Sequence, residues 1–363
     1  MSTQHIYDQV TERYSAASRA TSLQYGASVA KAFGYSEEEL ADIPEGSNLG
    51  LSCGNPMAMA SIREGETVID LGSGAGFDVF LAANKVGPEG KVIGVDMNKD
   101  MLARANEIKA KHGKTNVSFV EAQITDMSAI PSGTADCIIS NCVINLVPEE
   151  EKPLVFKEMH RLLKPGGRVA ISDILAKKPL PEKLRANMAL YVGCVSGASL
   201  VGQYEQYLRE AGFATDGVAI KDDGADLNVY IETNPDGTRT IGGTGGNLCC
   251  NPSIPSAAPA APAASSCSAA GQPATTSSSS CCSTEKKSAP LVAPASAGFM
   301  GGKSKADAVM ESAAAATESS SSCCGGGKKA DQSYAFDEKD LADLEGENLN
   351  AWAGSYKIYA VKP

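Results

Sequence analysis

Three places in this sequence put sulfur where it can do chemistry: Cys53, Cys194 and the vicinal pair Cys249-Cys250. Thiolates select soft ions, so three of them converging on one mouth would form a cage for a thiophilic substrate. Cys53 precedes a glycine loop of the nucleotide-binding kind, which would hold a cofactor beside that cage. Cys53 follows a Gly/Ser/Asn-rich stretch and the pair follows Gly242 to Asn247, so core packing explains neither. Cys194 by itself is explained as well by burial in a helix beginning near Glu182 as by ligation. Cys137 alternates within an apolar strand and reads as packed core, because free cysteine is among the most buried residue types. Cys142, at the end of that strand, reads as lining a cleft without ligating.

The cofactor end is more explicit. Thr67 to Leu71 is a short apolar strand that ends in Gly72-Ser73-Gly74-Ala75-Gly76, followed by Asp78 as a helix cap and the apolar Val79 to Ala82. A dinucleotide fingerprint wants G-x-G-x-x-G, but Phe77 stands at its third glycine. Asp70 would repel a pyrophosphate yet accept from an ammonium. Asp96, closing the second strand Lys91 to Val95, is placed to accept from both hydroxyls of a ribose. A cofactor with both groups and no phosphate is S-adenosylmethionine, its adenine near Met97 and the turn Gln123-Ile124-Thr125. The bland alternative is a tight turn and two capping aspartates. Together Asp70, Gly72, Ser73, Gly74, Gly76, Asp96, Met97, Ile124, Thr125 and Asn141 make up the expected cofactor site.

The elements that must position these residues alternate. Asn98 caps a helix that puts Met101, Leu102, Ala105 and Ile108 on one side. Val117 to Val120, Ala135 to Ser140 and Arg168 to Ser172 read as the third, fourth and fifth strands, with a helix from Glu151 to Leu163 stopped by Pro165-Gly166-Gly167. Such alternation predicts an α/β, doubly wound, mostly parallel sheet of Rossmann-like type, with right-handed crossovers and helices on both faces. A small cysteine-bearing region and a disordered insertion complete it.

Domain boundaries follow composition: an N-terminal helical segment with the Cys53 loop over 1–60, a cofactor-binding core over 61–180 and a substrate region over 181–250. Residues 251–332 are a Ser/Ala/Pro/Gly-rich linker that cannot bury enough apolar surface to offset its chain entropy. Its Ala-rich stretch, Lys305 to Thr317, has at most transient helix character. The segment 333–363 ends in Tyr356 to Val361, a strand that needs a sheet to join and most economically rejoins the one built before the linker.

A net charge of -11 argues against non-specific attraction to nucleic acid or anionic lipid. The start lacks an apolar signal core, and no stretch approaches the roughly 18 apolar residues of a membrane span. A cytoplasmic protein is expected, its eleven cysteines serving as thiols for ligands or redox chemistry instead of as a disulfide framework.

Asp70 to Asp78, Val95-Asp96 and Leu163-Lys164-Pro165-Gly166-Gly167 resemble the class I S-adenosylmethionine-dependent methyltransferases. More narrowly, Cys53-Gly54-Asn55-Pro56, Ile139 to Leu146 and Tyr191-Val192-Gly193-Cys194 resemble the arsenite methyltransferases, over about Tyr7 to Cys250 and again, weakly, over Asn350 to Val361. The resemblance implies that Cys194 and one of Cys249 or Cys250 bind As(III), with Cys53 as relay thiol or third ligand. It implies arsenite or its glutathione conjugate as substrate, and glutathione or a thioredoxin- or glutaredoxin-type protein as reductant. Arsenite methyltransferases often carry a further cysteine before the Cys-Gly-Asn-Pro element, and this chain has none, a departure that bears on the relay and on the number of methyl groups added. The chemistry agrees with the residues: a thiolate-held arsenic presents a lone pair as nucleophile, the sulfonium methyl is the electrophile, and no general base is required. Only His5, His112 and His160 exist, and His160 reads as structural.

Two other functions compete. A quinone- or sterol-type C- or O-methyltransferase would need a base and an apolar pocket and would leave the cysteines idle. An inactive thiol-based metal sequestering protein would not need Asp70 and Asp96. Cys281-Cys282 and Cys323-Cys324 repeat the vicinal pair in the linker, either by compositional accident or as tethered thiols that hand arsenic onward.

Overall fold

The computed structural model describes residues 2–19, 23–52, 54–233, 239–241 and 348–363. The chain divides into two units, Met1–Asn251 with Lys329–Pro363 and Pro252–Lys328, and all described residues lie in the first. Cys53, the pair Cys249-Cys250, and the expected linker with its two cysteine pairs and its Ala-rich stretch lie outside the described residues.

Four helices come first: α1 (Thr3–Ser18), α2 (Leu23–Ala32), α3 (Glu37–Ala41) and α4 (Met57–Ala60). Ser2 starts α1 by accepting from the His5 amide, and Ile6, Val10, Arg13 and Ala17 form its buried stripe at helical spacing. The core follows as β1 (Thr67–Leu71), α5 (Phe77–Val86), β2 (Lys91–Asp96), α6 (Lys99–Lys111), β3 (Val117–Glu121), β4 (Ala135–Asn141), α7 (Lys152–Leu162) and β5 (Leu163–Ala176). The short helices α8 (Glu182–Arg185) and α9 (Met188–Val192) lead to α10 (Val201–Ala211) and β6 (Val218–Asp222). Last come the hairpin β7 (Ile231–Thr233) with β8 (Arg239–Ile241), and β9 (Ala353–Val361).

The main sheet has the order β3-β2-β1-β4-β5-β9-β6. Its first five strands are parallel, whereas β9 runs antiparallel to both β5 and β6 and fills the gap between them. The sheet is therefore mostly parallel and doubly wound. Successive residues of the central strands go to opposite faces, as the pleat requires. Ile69, Ile138, Val169 and Ile171 join α7 and α10 through Phe156, Met159 and Tyr204. Val68, Cys137, Ile139 and Ala170 pack on α5 through Val79, Phe80 and Ala83. Helices therefore cover both faces.

Some connections differ from the sequence reading. No helix joins β3 to β4; residues 122–134 form a loop carrying an isolated bridge between Gln123 and Asp126. Asp78 does not cap α5: the cap position falls to Gly76 in the left-handed conformation, and Asp78 lies in the first turn with its side chain bonded elsewhere. The helix expected to begin near Glu182 breaks into α8 and α9, and Cys194 lies beyond both in a turn. No described helix is long and apolar enough to cross a membrane.

Candidate active site

Strand order reverses between β1 and β4, where neighbouring connections leave in opposite directions and a crevice opens beyond the strands' carboxyl ends. The crevice, counted together with the open solvent at its mouth, spans about 1080 Å³ of atom-free space. Asp70, Gly72, Ser73, Gly74, Asp96, Met97, Ile124, Thr125 and Asn141 all line it, whereas Gly76 lies outside the lining. The role of Gly76 is one of packing: φ is +91°, and a Cβ there would lie 2.8 Å from Phe80 and 3.0 Å from Phe119.

The crevice floor is acidic. Asp70 is only 3% exposed, and burial, with Asp78 and Asp96 adding like charge, pushes its carboxyl well above the usual range. Among the described residues it has no cation beside it. Asp96 is held by backbone: its Oδ2 accepts from the Gly74 amide and its Oδ1 from the Asn98 amide, each at 2.8 Å. Burial raises its pKa, and the amides of Asn98, Gly74 and Met97 oppose the rise. Asp78 accepts from the Tyr35 hydroxyl at 2.7 Å and from Asn141 Nδ2 at 3.0 Å; burial still pushes it up to about 6. Asn141 Nδ2 also donates to the Gly54 carbonyl at 3.1 Å. Its Oδ1 and the Ser73 Oγ are buried with no hydrogen-bond partner among the described residues.

This donor and acceptor set fits S-adenosylmethionine. An ammonium would relieve Asp70, the carboxylate of Asp96 could accept from ribose hydroxyls, and the orphaned acceptors on Asn141 and Ser73 would gain donors. A pyrophosphate would instead face three carboxylates.

Sequence reasoning missed the crevice's outer wall. Tyr7, Val10 and Tyr14 of α1, with Leu49 and Leu51, close it from the N-terminal side. The 6, 10, 13, 17 stripe was the available signal, but it says only that α1 packs on something.

The sulfur side also differs from expectation. Cys194 Sγ donates to the Cys142 carbonyl at 2.8 Å, so the two segments touch beside the crevice, which Cys142 lines. Both backbones are left-handed, φ +56° at Cys142 and +65° at Cys194, a conformation L-residues seldom adopt without a compensating fit. The Tyr14 hydroxyl is hydrogen-bonded to the Cys194 sulfur. Burial, then the charge of Asp173, pushes the Cys194 thiol well above its ordinary value, while Tyr14 and the Lys152 ammonium oppose the rise. Cys142 is disulfide-bonded, whereas Cys137 and Cys194 are free. Cys137 is core, fully buried, its thiol pushed up to about 12 by burial. Of the cysteines expected to converge, Cys194 alone is described, and the neighbour it meets is Cys142, which the sequence reading gave a lesser part.

A doubly wound parallel sheet, opening at its switch point onto an acidic crevice suited to a sulfonium amino acid, defines a class I S-adenosylmethionine-dependent methyltransferase domain. Residues 62–212 match the family model described as a methyltransferase domain. The chain is 45% identical over 201 residues to the arsenite methyltransferase of Halobacterium salinarum, covering 55% of this chain and 51% of that protein. It is 40% identical over 176 residues to the arsenite methyltransferase of Aquipseudomonas alcaligenes, covering 47% and 50%. The solved arsenic(III) S-adenosylmethionine methyltransferase of Chlamydomonas reinhardtii is 31% identical, with a TM-score of 0.43, over 56% of this chain and 67% of that one. The chain is a homologue of the arsenite methyltransferases, and it spans about half the length of the curated relatives it matches.

Proposed function

We propose that this protein transfers a methyl group from S-adenosylmethionine to trivalent arsenic held by cysteine thiolates, as an arsenic detoxification enzyme of the cytoplasm. The contact between the Cys194 thiol and the Cys142 backbone, beside a crevice floored by Asp70 and Asp96, is the observation that carries this reading. The cofactor supplies an electrophilic sulfonium methyl. Asp70 would hold its ammonium, Asp96 its hydroxyls, and Tyr7 and Tyr14 would exclude water from the crevice.

On the substrate side, the reading adds Cys142 to the expected set of Cys53, Cys194 and Cys249 or Cys250. Capture of arsenite exchanges its hydroxyls for thiolates; each S–H proton leaves with one hydroxyl as water. Cys53 is supported by its neighbour: the Gly54 carbonyl accepts from Asn141, the residue just before Cys142. A Cys142 sulfur already in a disulfide binds nothing, which gives the reductant, glutathione or a thioredoxin- or glutaredoxin-type protein, a defined task before capture.

The reading is tested by incubating the full-length protein with arsenite, methyl-labelled cofactor and excess thiol, then separating the arsenic species. Label in methylated arsenic is expected. Label remaining wholly in the cofactor, with the protein folded and cofactor-bound, would refute it.

A further inference from the structure

Cys142 and Cys194 approach one another from separate segments, and one side chain spans both. Asn145, fully buried in the short 3-10 turn Ile144–Leu146 that follows Cys142, directs its Nδ2 at three acceptors. These are the Cys194 carbonyl at 3.0 Å, Asp173 Oδ1 at 2.9 Å and the Ile174 carbonyl at 2.5 Å. Asp173 is fixed in turn, its Oδ1 accepting from the Ile174 amide at 2.9 Å and its Oδ2 from the Tyr204 hydroxyl at 2.7 Å.

The Cys194 turn is also pressed onto Asn145 from its far end. A Cβ on Gly197 would lie 2.0 Å from the Asn145 carbonyl oxygen, so only glycine lets the backbones approach this closely. Lys152, itself fully buried, donates to the Gly197 carbonyl and, at 2.8 Å, to Ser199 Oγ. A turn that carries a left-handed cysteine thus has its carbonyl held at one end and its backbone clamped at the other.

We infer that Asn145, buttressed by Asp173 and Tyr204, is a positioning residue that aims Cys194 at Cys142 for capture of the trivalent arsenical, an inference that rests on the proposed function. Asn145 touches neither substrate nor cofactor. It acts through the Cys194 backbone, and pre-organising two thiols lowers the ordering cost of binding one ion between them. A buried asparagine that only satisfied the core would affect folding without favouring one ligand over the other.

The test uses full-length reduced protein, with phenylarsine oxide and S-adenosylmethionine titrated separately by calorimetry. Asn145→Ala is expected to bind phenylarsine oxide at least about tenfold more weakly while cofactor affinity stays within about twofold. Should that variant fail to fold, Tyr204→Phe removes only the hydroxyl under Asp173, and a loss of about threefold in arsenical affinity alone is expected. Unchanged arsenical affinity in a folded variant, or equal loss of both ligands, overturns the positioning role. Parent protein that binds cofactor but no phenylarsine oxide overturns the proposed function itself, a result that needs no variant.

Discussion

Asn98 Nδ2 donates to the Thr11 carbonyl at 3.0 Å, joining the loop after Asp96 to the middle of α1. The same side chain accepts from the amides of Asp100 and Met101 through Oδ1, capping α6, and reaches Ser15 Oγ at 3.0 Å. One residue therefore holds together the Asp96 corner of the crevice and the wall that covers it.

Two substitutions separate those jobs. Asn98→Ser keeps a cap but is too short to reach Thr11, so it should weaken cofactor binding by several-fold with little loss of stability. Asn98→Ala should also lose about 1 kcal/mol through the cap. Calorimetry and urea unfolding on both variants read the difference; equal cofactor affinity in Asn98→Ser and parent would mean α1 is not held from this side.

Cys194→Ser and Cys142→Ser exchange a soft sulfur for a hard oxygen while changing little volume. Each should lower methyl transfer to arsenite by at least about two orders of magnitude and leave cofactor affinity intact, because a hydroxyl does not replace a thiolate on a soft ion. Full transfer activity in reduced Cys142→Ser would return that residue to a lining role.

Cofactor binding should depend on pH. Burial raises the carboxyls of Asp70 and Asp78, the latter to about 6, and a bound cation favours their ionised forms. Binding therefore expels protons, and affinity should rise with pH through the range around and above 6. The binding heat measured near pH 6.5 should vary with the ionisation enthalpy of the buffer. Asp70→Asn should bind weakly and lose most of that variation; an unvarying heat for the parent would contradict the assignment.

Asp173 makes a separate prediction about stability. Its folded-state carboxyl is pushed up to about 6 by burial, against about 3.9 in an unfolded chain. The folded state holds this proton more tightly, so the contribution to stability is full below about pH 4 and is lost as pH rises to about 6. The loss amounts to about 3 kcal/mol across the window. Asp173→Asn cannot titrate, so its stability relative to the parent should climb between pH 4 and 6. Urea midpoints that stay parallel over that interval would rule out the shift.

Gly72 and Gly74 give a matched pair. Gly72 has φ +64°, and a Cβ there would lie 2.5 Å from both methyls of Val143, so alanine should cost about 2 to 4 kcal/mol and spoil the crevice floor. Gly74 has φ +52° but nothing nearer than Met101 Sδ at 3.9 Å, so alanine there meets backbone strain alone, about 1 kcal/mol. Thermal unfolding should rank the two variants in that order.

The strands β1 to β5 were legible because each carries a compact apolar run, and both the alternation and the position of Asp70 and Asp96 follow from local pattern. The final strand was legible too, but β6 beside it went unread, being only five residues long with none of them buried. What local pattern does not carry is contact between distant segments. Nothing around Cys142 announces that Cys194 will point at its carbonyl, and nothing around Asn145 announces Asp173 or Tyr204. Asp78 looked like a helix cap since it follows the glycines, yet Tyr35, far away in sequence, claims its carboxylate. Cys194 looked helical, yet it sits in a left-handed turn whose carbonyl accepts from the distant Asn145.

The place of β9 carries a consequence for how the molecule is made. The ribbon between β5 and β6 is supplied by residues 353–361, so β6 emerges from the ribosome with no partner and stays unpaired until that late segment is translated. A message truncated anywhere before codon 353 would yield a polypeptide with an open, adhesive edge on β5. Closing the gap between β5 and β6 therefore waits on translation of the whole of β9.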